Sequence, residues 1–284
     1  MSGDLETFEG NRPRLTRLAY RMLGSVAEAE DVVQEVWLRW SAAEGVEDPA
    51  AWLVRTASRL CIDRLRAART RRAAYRGPWL PEPLIEELTV DPVERAEDVS
   101  VAFLLALERL SPLERAVFLL HDVFDEAYPA VAATLGRSEA AVRQLAARAR
   151  AHVSQARPRF SVSQEEVMRL AAAFMAAAAK GDVAALSEVL AEDAVMLTDG
   201  GGKRKAALRP LVGVADIARL LQGLAWRGSV QPHAFRAARI NGYPGVIAAL
   251  DDGPMVMAFE PDGAGKLAAV YLMRNPEKLG HLQG

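Results

Sequence analysis

The chain has 284 residues, enough for two or three domains with separate cores, and its 51% hydrophobic and 25% charged content marks a globular protein. A single cysteine, Cys61, excludes an intramolecular disulfide and a cysteine-cluster zinc site. The histidines (His121, His152, His233, His281) lack ligand spacing, so neither metal nor cofactor is expected. A net charge of −2 argues against nucleic-acid binding only until charge is resolved along the chain.

Up to about Arg72 the pattern is helical. Leu15, Leu18, Ala19, Met22 and Leu23 form one stripe, ended by Gly24. Ser25–Trp40 follows, with Val26, Ala29, Val32, Val33, Val36 and Trp37 on or near one side and a polar face of Asp31, Gln34, Glu35 and Arg39. Asp48-Pro49 opens a third helix, in which Trp52, Leu53, Thr56, Leu60, Ile62 and Leu65 alternate with arginines. From Arg55 to Arg76 eight arginines, Arg59, Arg66 and Arg69 among them, face Asp63 alone. Trp79-Leu80-Pro81-Glu82-Pro83, after Gly77-Pro78, cannot be helical. An acidic linker containing Glu82, Glu86, Glu87, Asp91, Glu94, Glu97 and Asp98 runs on to about residue 100. Periodicity resumes at Val101–Leu110, and Ser111-Pro112-Leu113-Glu114 reads as a capping box opening a helix to about Phe124.

Tyr128–Arg150 has the spacing of a helix-turn-helix. Ala132 stands fifth, Gly136 ninth and Val142 fifteenth, supplying close approach, a turn with positive φ and an anchor for the second helix. Val131, Leu135 and Leu145 complete the buried side. Ser138 caps the second helix, whose outward side carries Arg143, Gln144, Arg148 and Arg150. Such a helix suits a major groove, with side chains for base edges and cations for phosphates. Two basic blocks flanking an acidic one imply two nucleic-acid footprints. The acidic segment, extended at about 3.3 Å per residue, reaches roughly 70 Å, more than the roughly 50–60 Å of one and a half duplex turns.

Beyond Pro158 the composition changes. Helices at about 164–180, 183–190 and Val214–Trp226 are expected, with strands at Ala194–Thr198, Lys205–Val212, Val230–Ile240, Gly245–Leu250, Pro254–Glu260 and Lys266–Arg274. Tyr243-Pro244 reads as a turn, and the whole as an α+β cone with a curved antiparallel sheet around a pocket. Asp199, Tyr243, Asp251, Tyr271 and His233 are acid/base candidates for that pocket, but none forms a local motif and no catalysis is expected. No apolar run reaches membrane-spanning length, and MSGDLETFEG lacks a signal-peptide core, so a cytoplasmic protein without a membrane partner is expected.

Three segments in order resemble the extracytoplasmic-function RNA polymerase sigma factors. Ala29–Trp37 resembles the region 2.2 helix, Pro49–Arg72 region 2.4, and the helix-turn-helix falls where region 4.2 belongs. The chain departs from the group at Arg59, where most members carry asparagine. WLPEP at Trp79–Pro83, DGGGK at Asp199–Lys203 and NPEKL at Asn275–Leu279 resemble signatures of the SigJ-type branch, whose members carry a C-terminal SnoaL-like, nuclear-transport-factor-like domain.

The resemblance implies region 2 at 1–75, a linker at 76–100, region 4 at 101–160 and a SnoaL-like domain at 161–284. Asp31, Gln34, Glu35 and Trp37 would meet the polymerase β′ clamp helices, with the β flap a second polymerase contact. Arg55, Arg59, Arg66 and Arg69 would serve the −10 element, and Ser138, Arg143, Gln144, Arg148 and Arg150 the −35 element. Trp79, Leu80, Pro81, Glu82 and Pro83 would meet Asp199, Gly200, Gly201, Gly202 and Lys203, together with Asn275, Pro276, Glu277, Lys278 and Leu279, as an internal regulatory contact. The free protein is expected to be a monomer, and a small ligand in the pocket stays open. So do two other readings, a ligand-responsive repressor and a SnoaL-like isomerase or cyclase fused to a DNA-binding module.

Overall fold

The computed structural model describes residues 2–86, 100–153, 162–226 and 234–282, apart from the side chains at 2, 3, 69–71, 73 and 281. The chain divides into two compact units: Met1–Ala73 with Phe103–Ala156, and Ala74–Ala102 with Arg157–Gly284. The linker therefore groups with the C-terminal residues, and the two helical regions group with each other. Linker residues 87–99 lie outside the described residues.

The first unit is all helical. Helices α1 (Ser2–Leu23), α2 (Val26–Ser41) and α3 (Pro49–Ala73) pack around Leu15, Leu18, Met22, Val32, Val36 and Leu53, all buried. Gly24 ends α1 at φ 68°, and the Ser25 hydroxyl accepts the Glu28 amide at 3.2 Å to start α2. Asp48 does the same for α3, accepting from the Ala51 amide at 3.0 Å. After α4 (Val101–Glu108), the Ser111/Glu114 capping box starts α5 (Pro112–Phe118), which runs on as a π-helical turn through Leu119–Val123. Helices α6 (Tyr128–Leu135) and α7 (Glu139–Val153) complete the helix-turn-helix, with Gly136 at φ 62° in the turn and Val131, Val142 and Ala146 buried.

Within this unit α3 packs against α5 and α6. Arg115, 3% exposed, donates to the Met22 carbonyl at 2.6 Å and to Glu108 at 2.7 Å, while Arg72 donates to the Leu23 carbonyl at 2.9 Å and pairs with Glu108. Burial pulls the Arg115 pKa down to about 9, so the guanidinium stays charged at neutral pH. Arg14 pairs with Glu126 at 2.7 Å and, with Arg21, lies over the Phe124 ring.

The second unit carries a seven-stranded sheet in the order β1-β4-β5-β6-β7-β2-β3. Its elements are β1 (Ile85–Glu86), α8 (Gln164–Lys180), α9 (Val183–Val189), β2 (Leu190–Asp199), β3 (Leu211–Val212), α10 (Val214–Trp226), β4 (Ala234–Ile240), β5 (Tyr243–Leu250), β6 (Gly253–Pro261) and β7 (Leu267–Met273). The helices cover one face, where Phe174 of α8 meets Phe259 of β6 at 5.7 Å and Met196, Ala248, Met257 and Val270 join the core.

Three expectations change. The sheet is mixed, because β2 runs parallel to β7. The expected strand at Lys205–Val212 shrinks to Leu211–Val212, and residues 230–233 of another lie outside the described residues. Tyr243-Pro244 is not a turn but the start of β5; the turn is Asn241-Gly242, at φ 49° and 82°. Asparagine and glycine tolerate the left-handed region, whereas Pro244 sits opposite Arg239 in the ladder.

Candidate nucleic-acid interface and linker latch

The α7 cations are exposed, and three of them have carboxylates nearby. Arg143 pairs with Glu139 at 2.5 Å and lies 4.3 Å from the Tyr128 ring centre; Arg148 pairs with Glu114 at 3.0 Å; Arg150 reaches Asp122 at 2.6 Å and the Tyr128 hydroxyl at 3.1 Å. Ser138 accepts the Ala141 amide at 3.3 Å, which occupies its hydroxyl with capping, and Gln144 is exposed. The Arg143–Glu139 pair is exposed on both sides and worth about 0–1 kcal/mol, so a phosphate can replace Glu139 at little cost, whereas Glu114 and Asp122 are largely covered.

On α3, Arg59 and Arg66 are exposed, Arg66 with Asp63 at 3.2 Å, and Arg55 is half-buried. The side chain of Arg69 lies outside the described residues. Arg64, not singled out in the sequence, donates to the Glu28 carbonyl at 3.0 Å and lies 3.7 Å from Asp31 and from Glu35. It therefore steadies the polar face of α2, where Asp31 and Gln34 are exposed and Trp37 packs on Phe8 at 4.9 Å.

In the C-terminal unit the three short motifs converge. Asp199, at the end of β2, has no exposed surface. One carboxylate oxygen accepts from the Tyr75 hydroxyl at 2.6 Å and the Gly201 amide at 2.9 Å. The other accepts from the Leu80 amide at 2.9 Å and pairs with Lys278 at 2.7 Å. Lys278 also donates to the Leu80 carbonyl and stands 4.4 Å from the Trp79 ring centre. Asn275 donates to the Tyr75 hydroxyl at 2.9 Å, closing the network. Burial, and then the Asp199 carboxylate, push the Tyr75 phenol well above its ordinary pKa, so it remains a donor.

The glycines of DGGGK are needed for close approach. A side chain at Gly201 would stand 2.4 Å from Asn275, and one at Gly200 2.2 Å from the Arg204 carbonyl. Lys203 makes an exposed pair with Glu277 at 2.6 Å, Leu279 is fully buried and Pro276 half-buried. In WLPEP, Leu80, Pro81, Glu82 and Pro83 are buried, after which the linker joins the sheet edge. The Asn241 amide donates to the Leu84 carbonyl at 2.9 Å, and Ile85 and Glu86 pair with Ile240 and Arg239. Sequence reasoning missed Tyr75 and Asn241; a tyrosine before a Gly-Pro pair and an Asn-Gly turn were their only signals.

Two families match: Sigma-70 region 2 at residues 7–71 and Sigma-70 region 4 at residues 100–153. Over nearly the whole length, the chain is 40% identical to the ECF RNA polymerase sigma factor SigJ of Mycobacterium tuberculosis, covering 97% of this chain and 93% of that protein. The chain belongs to the ECF RNA polymerase sigma factors. A probable ECF sigma factor of the same organism, SigI, is 32% identical over 97% of this chain and 94% of its own length. The crystal structure of SigJ superposes with a TM-score of 0.78 at 36% identity, covering 97% of this chain and 98% of that one. Chains of this family direct RNA polymerase to promoters, and no helix among the described residues of this sigma factor is long and apolar enough to cross a membrane.

The sigma factor's C-terminal unit also encloses a cavity of about 1070 Å³ between α8, α10 and the sheet. Of the acid/base candidates only Asp251 lines it; Asp199, Tyr243 and Tyr271 do not, and His233 lies outside the described residues. On the other face of the sheet Glu260, 5% exposed, bonds the Ala102 amide, and burial raises its carboxyl pKa to about 8.

Proposed function

We propose that this sigma factor is controlled from within, its C-terminal SnoaL-like unit gripping the linker and acting as a regulator rather than a catalyst. In this reading Asp31, Gln34, Glu35 and Trp37 meet the β′ clamp helices, and the β flap makes a second polymerase contact. Arg55, Arg59, Arg66 and Arg69 serve the −10 element. Arg143, Gln144, Arg148 and Arg150 serve the −35 element, with Ser138 placing their helix. The packing of α3 on α5 and α6 puts both readers in one body. Promoter elements lie roughly 50–60 Å apart, so initiation requires regions 2 and 4 to separate.

The observation that carries this reading is the buried Asp199 carboxylate, which ties Tyr75, immediately before the linker, and Leu80 within it to Lys278. Its accepting positions are occupied by four donors, which also argues against a general base there. The test is run-off transcription with purified core polymerase, comparing the full chain, a chain lacking residues from Gln164 onward and Asp199→Ala. Both variants should change promoter-dependent output in the same direction. Output identical to the full chain in both would sink the reading.

A further inference from the structure

The C-terminal cavity has a built-in polarity. Its walls are apolar: Phe174 and Met175 from α8, Leu221 and Leu224 from α10, and Met196, Val246, Met255, Met257 and Leu272 from the sheet. At about 1070 Å³ it is at the upper end of the range for small-molecule sites. The segment Lys203–Ala207 also lines it, so that Lys203, Arg204, Lys205 and Arg274 outnumber the two lining carboxylates, Asp251 and Asp252. The same segment, with Thr198, also lines a second cavity of about 370 Å³, whose charged residues are Arg76, Lys203, Arg204 and Lys205, with no carboxylate among its lining.

The cations are unequally paired. Lys203 has Glu277 and Arg274 has both oxygens of Asp252 at 2.6 Å, but no carboxylate pairs with Arg204 or Lys205 among the described residues. Arg204 is half-buried, and the Nε of Arg274 is buried without an acceptor among the described residues. A large, mainly apolar chamber with more cations than carboxylates in its lining, sharing Lys203–Ala207 with a carboxylate-free cavity, fits one ligand chemistry: an apolar body carrying an anionic head.

We propose that the C-terminal unit binds an amphiphilic anion, its hydrocarbon part among Met196, Met257 and Leu221 and its carboxylate or phosphate head between Arg204, Lys205 and Arg76. Arg76 belongs to the linker and lies beside the latch, its Cβ 3.5 Å from where a side chain on Gly202 would begin. The head group therefore bridges the linker and the Asp199–Ala207 loop, and a bound anion tightens the latch. The binding stands whether or not the C-terminal unit controls transcription.

Titration calorimetry on the full chain tests it with four probes of equal chain length: dodecanoate, dodecyl phosphate, dodecan-1-ol and dodecyltrimethylammonium. One or both anions should bind one per chain and at least tenfold more tightly than the cation, which tells carboxylate from phosphate. Arg204→Gln combined with Arg76→Gln should weaken the anions about tenfold and leave the alcohol unchanged. Met257→Trp, placing an indole where the hydrocarbon part lies, should weaken binding of all four at least tenfold; Val246→Trp takes its place if Met257→Trp does not fold by circular dichroism. No saturable anion binding in the full chain, cation binding as tight as anion binding, or undiminished binding in a folded tryptophan variant would each overturn the proposal. Because calorimetry reads binding and run-off assays read transcription, failure of one does not register as failure of the other.

Discussion

Regions 2 and 4 meet through a buried Arg115 and the partly exposed Arg14 and Arg72, which reach the carbonyls ending α1 and Glu108 and Glu126; the linker meets the C-terminal sheet through a carboxylate that no solvent reaches. In the first contact set Arg115 is 3% exposed, but Arg14 and Arg72, 35% and 24% exposed, can exchange their partners for water. The second cannot, because freeing the Leu80 amide or Lys278 from Asp199 leaves a buried donor or charge unmatched. Under the proposed control, motion falls between the sigma regions, with the linker as the anchored element.

The largest expected effect is at the anchor. Asp199→Ala leaves Lys278 and the Leu80 amide without their acceptor, and should lower the unfolding free energy of the C-terminal unit by about 3–5 kcal/mol in urea titrations. Equal stability would mean the linker is held by apolar packing alone.

Next comes pH. The Glu260 carboxyl has a folded pKa raised to about 8 against 4.5 ordinarily, so the folded chain binds its proton first. Its stability contribution is complete below pH 4.5 and is lost as pH rises to about 8, with a slope approaching ~1.4 kcal/mol per pH unit. Glu260→Gln should flatten that slope in thermal melts run from pH 5 to 8, while the ordinary sequence loses Tm across the range.

Across the sigma regions, Glu108→Gln removes the acid shared by Arg72 and Arg115. It should cost about 1.5–3 kcal/mol and raise the distance between labels on α2 and α7. An unchanged distance distribution would assign the docking to apolar packing.

The smallest effect belongs to Glu114, which closes the capping box of α5 and pairs with Arg148. Burial works to raise its carboxyl pKa, but the Ser111 hydrogen bonds and the nearby Arg148 outweigh it and hold the group below its ordinary value. Glu114→Ala should cost ~1 kcal/mol in stability. It should also free Arg148, giving slightly tighter duplex binding at low salt.

Much of the helical half was legible because its signals are local. Gly24, Ser25, the Ser111/Glu114 box and Gly136 each state a boundary within four residues of where it acts. The C-terminal half was legible as strands but not as a sheet. Nothing in Ala194–Thr198 announces that its neighbour is β7 and parallel, since pairing partners some seventy residues apart leave no trace in local periodicity. The linker was least legible of all. Ile85–Glu86 is too short for alternation, and its partner strand lies more than 150 residues on. Asp199 drew attention through its motif. Its chemistry depends on Tyr75, Leu80 and Lys278, which converge only in three dimensions.

The latch also sets an order in time. Tyr75 and its partner Asn275 are separated by 200 residues of chain. At roughly 5–20 residues per second, a ribosome needs on the order of 10–40 s to make that stretch. For the later part of that interval both sigma regions are already synthesised while Asn275 and Lys278 do not yet exist. Every newly made molecule thus passes through an unlatched stage, and the control proposed above begins only once Asn275 and Lys278 have been added.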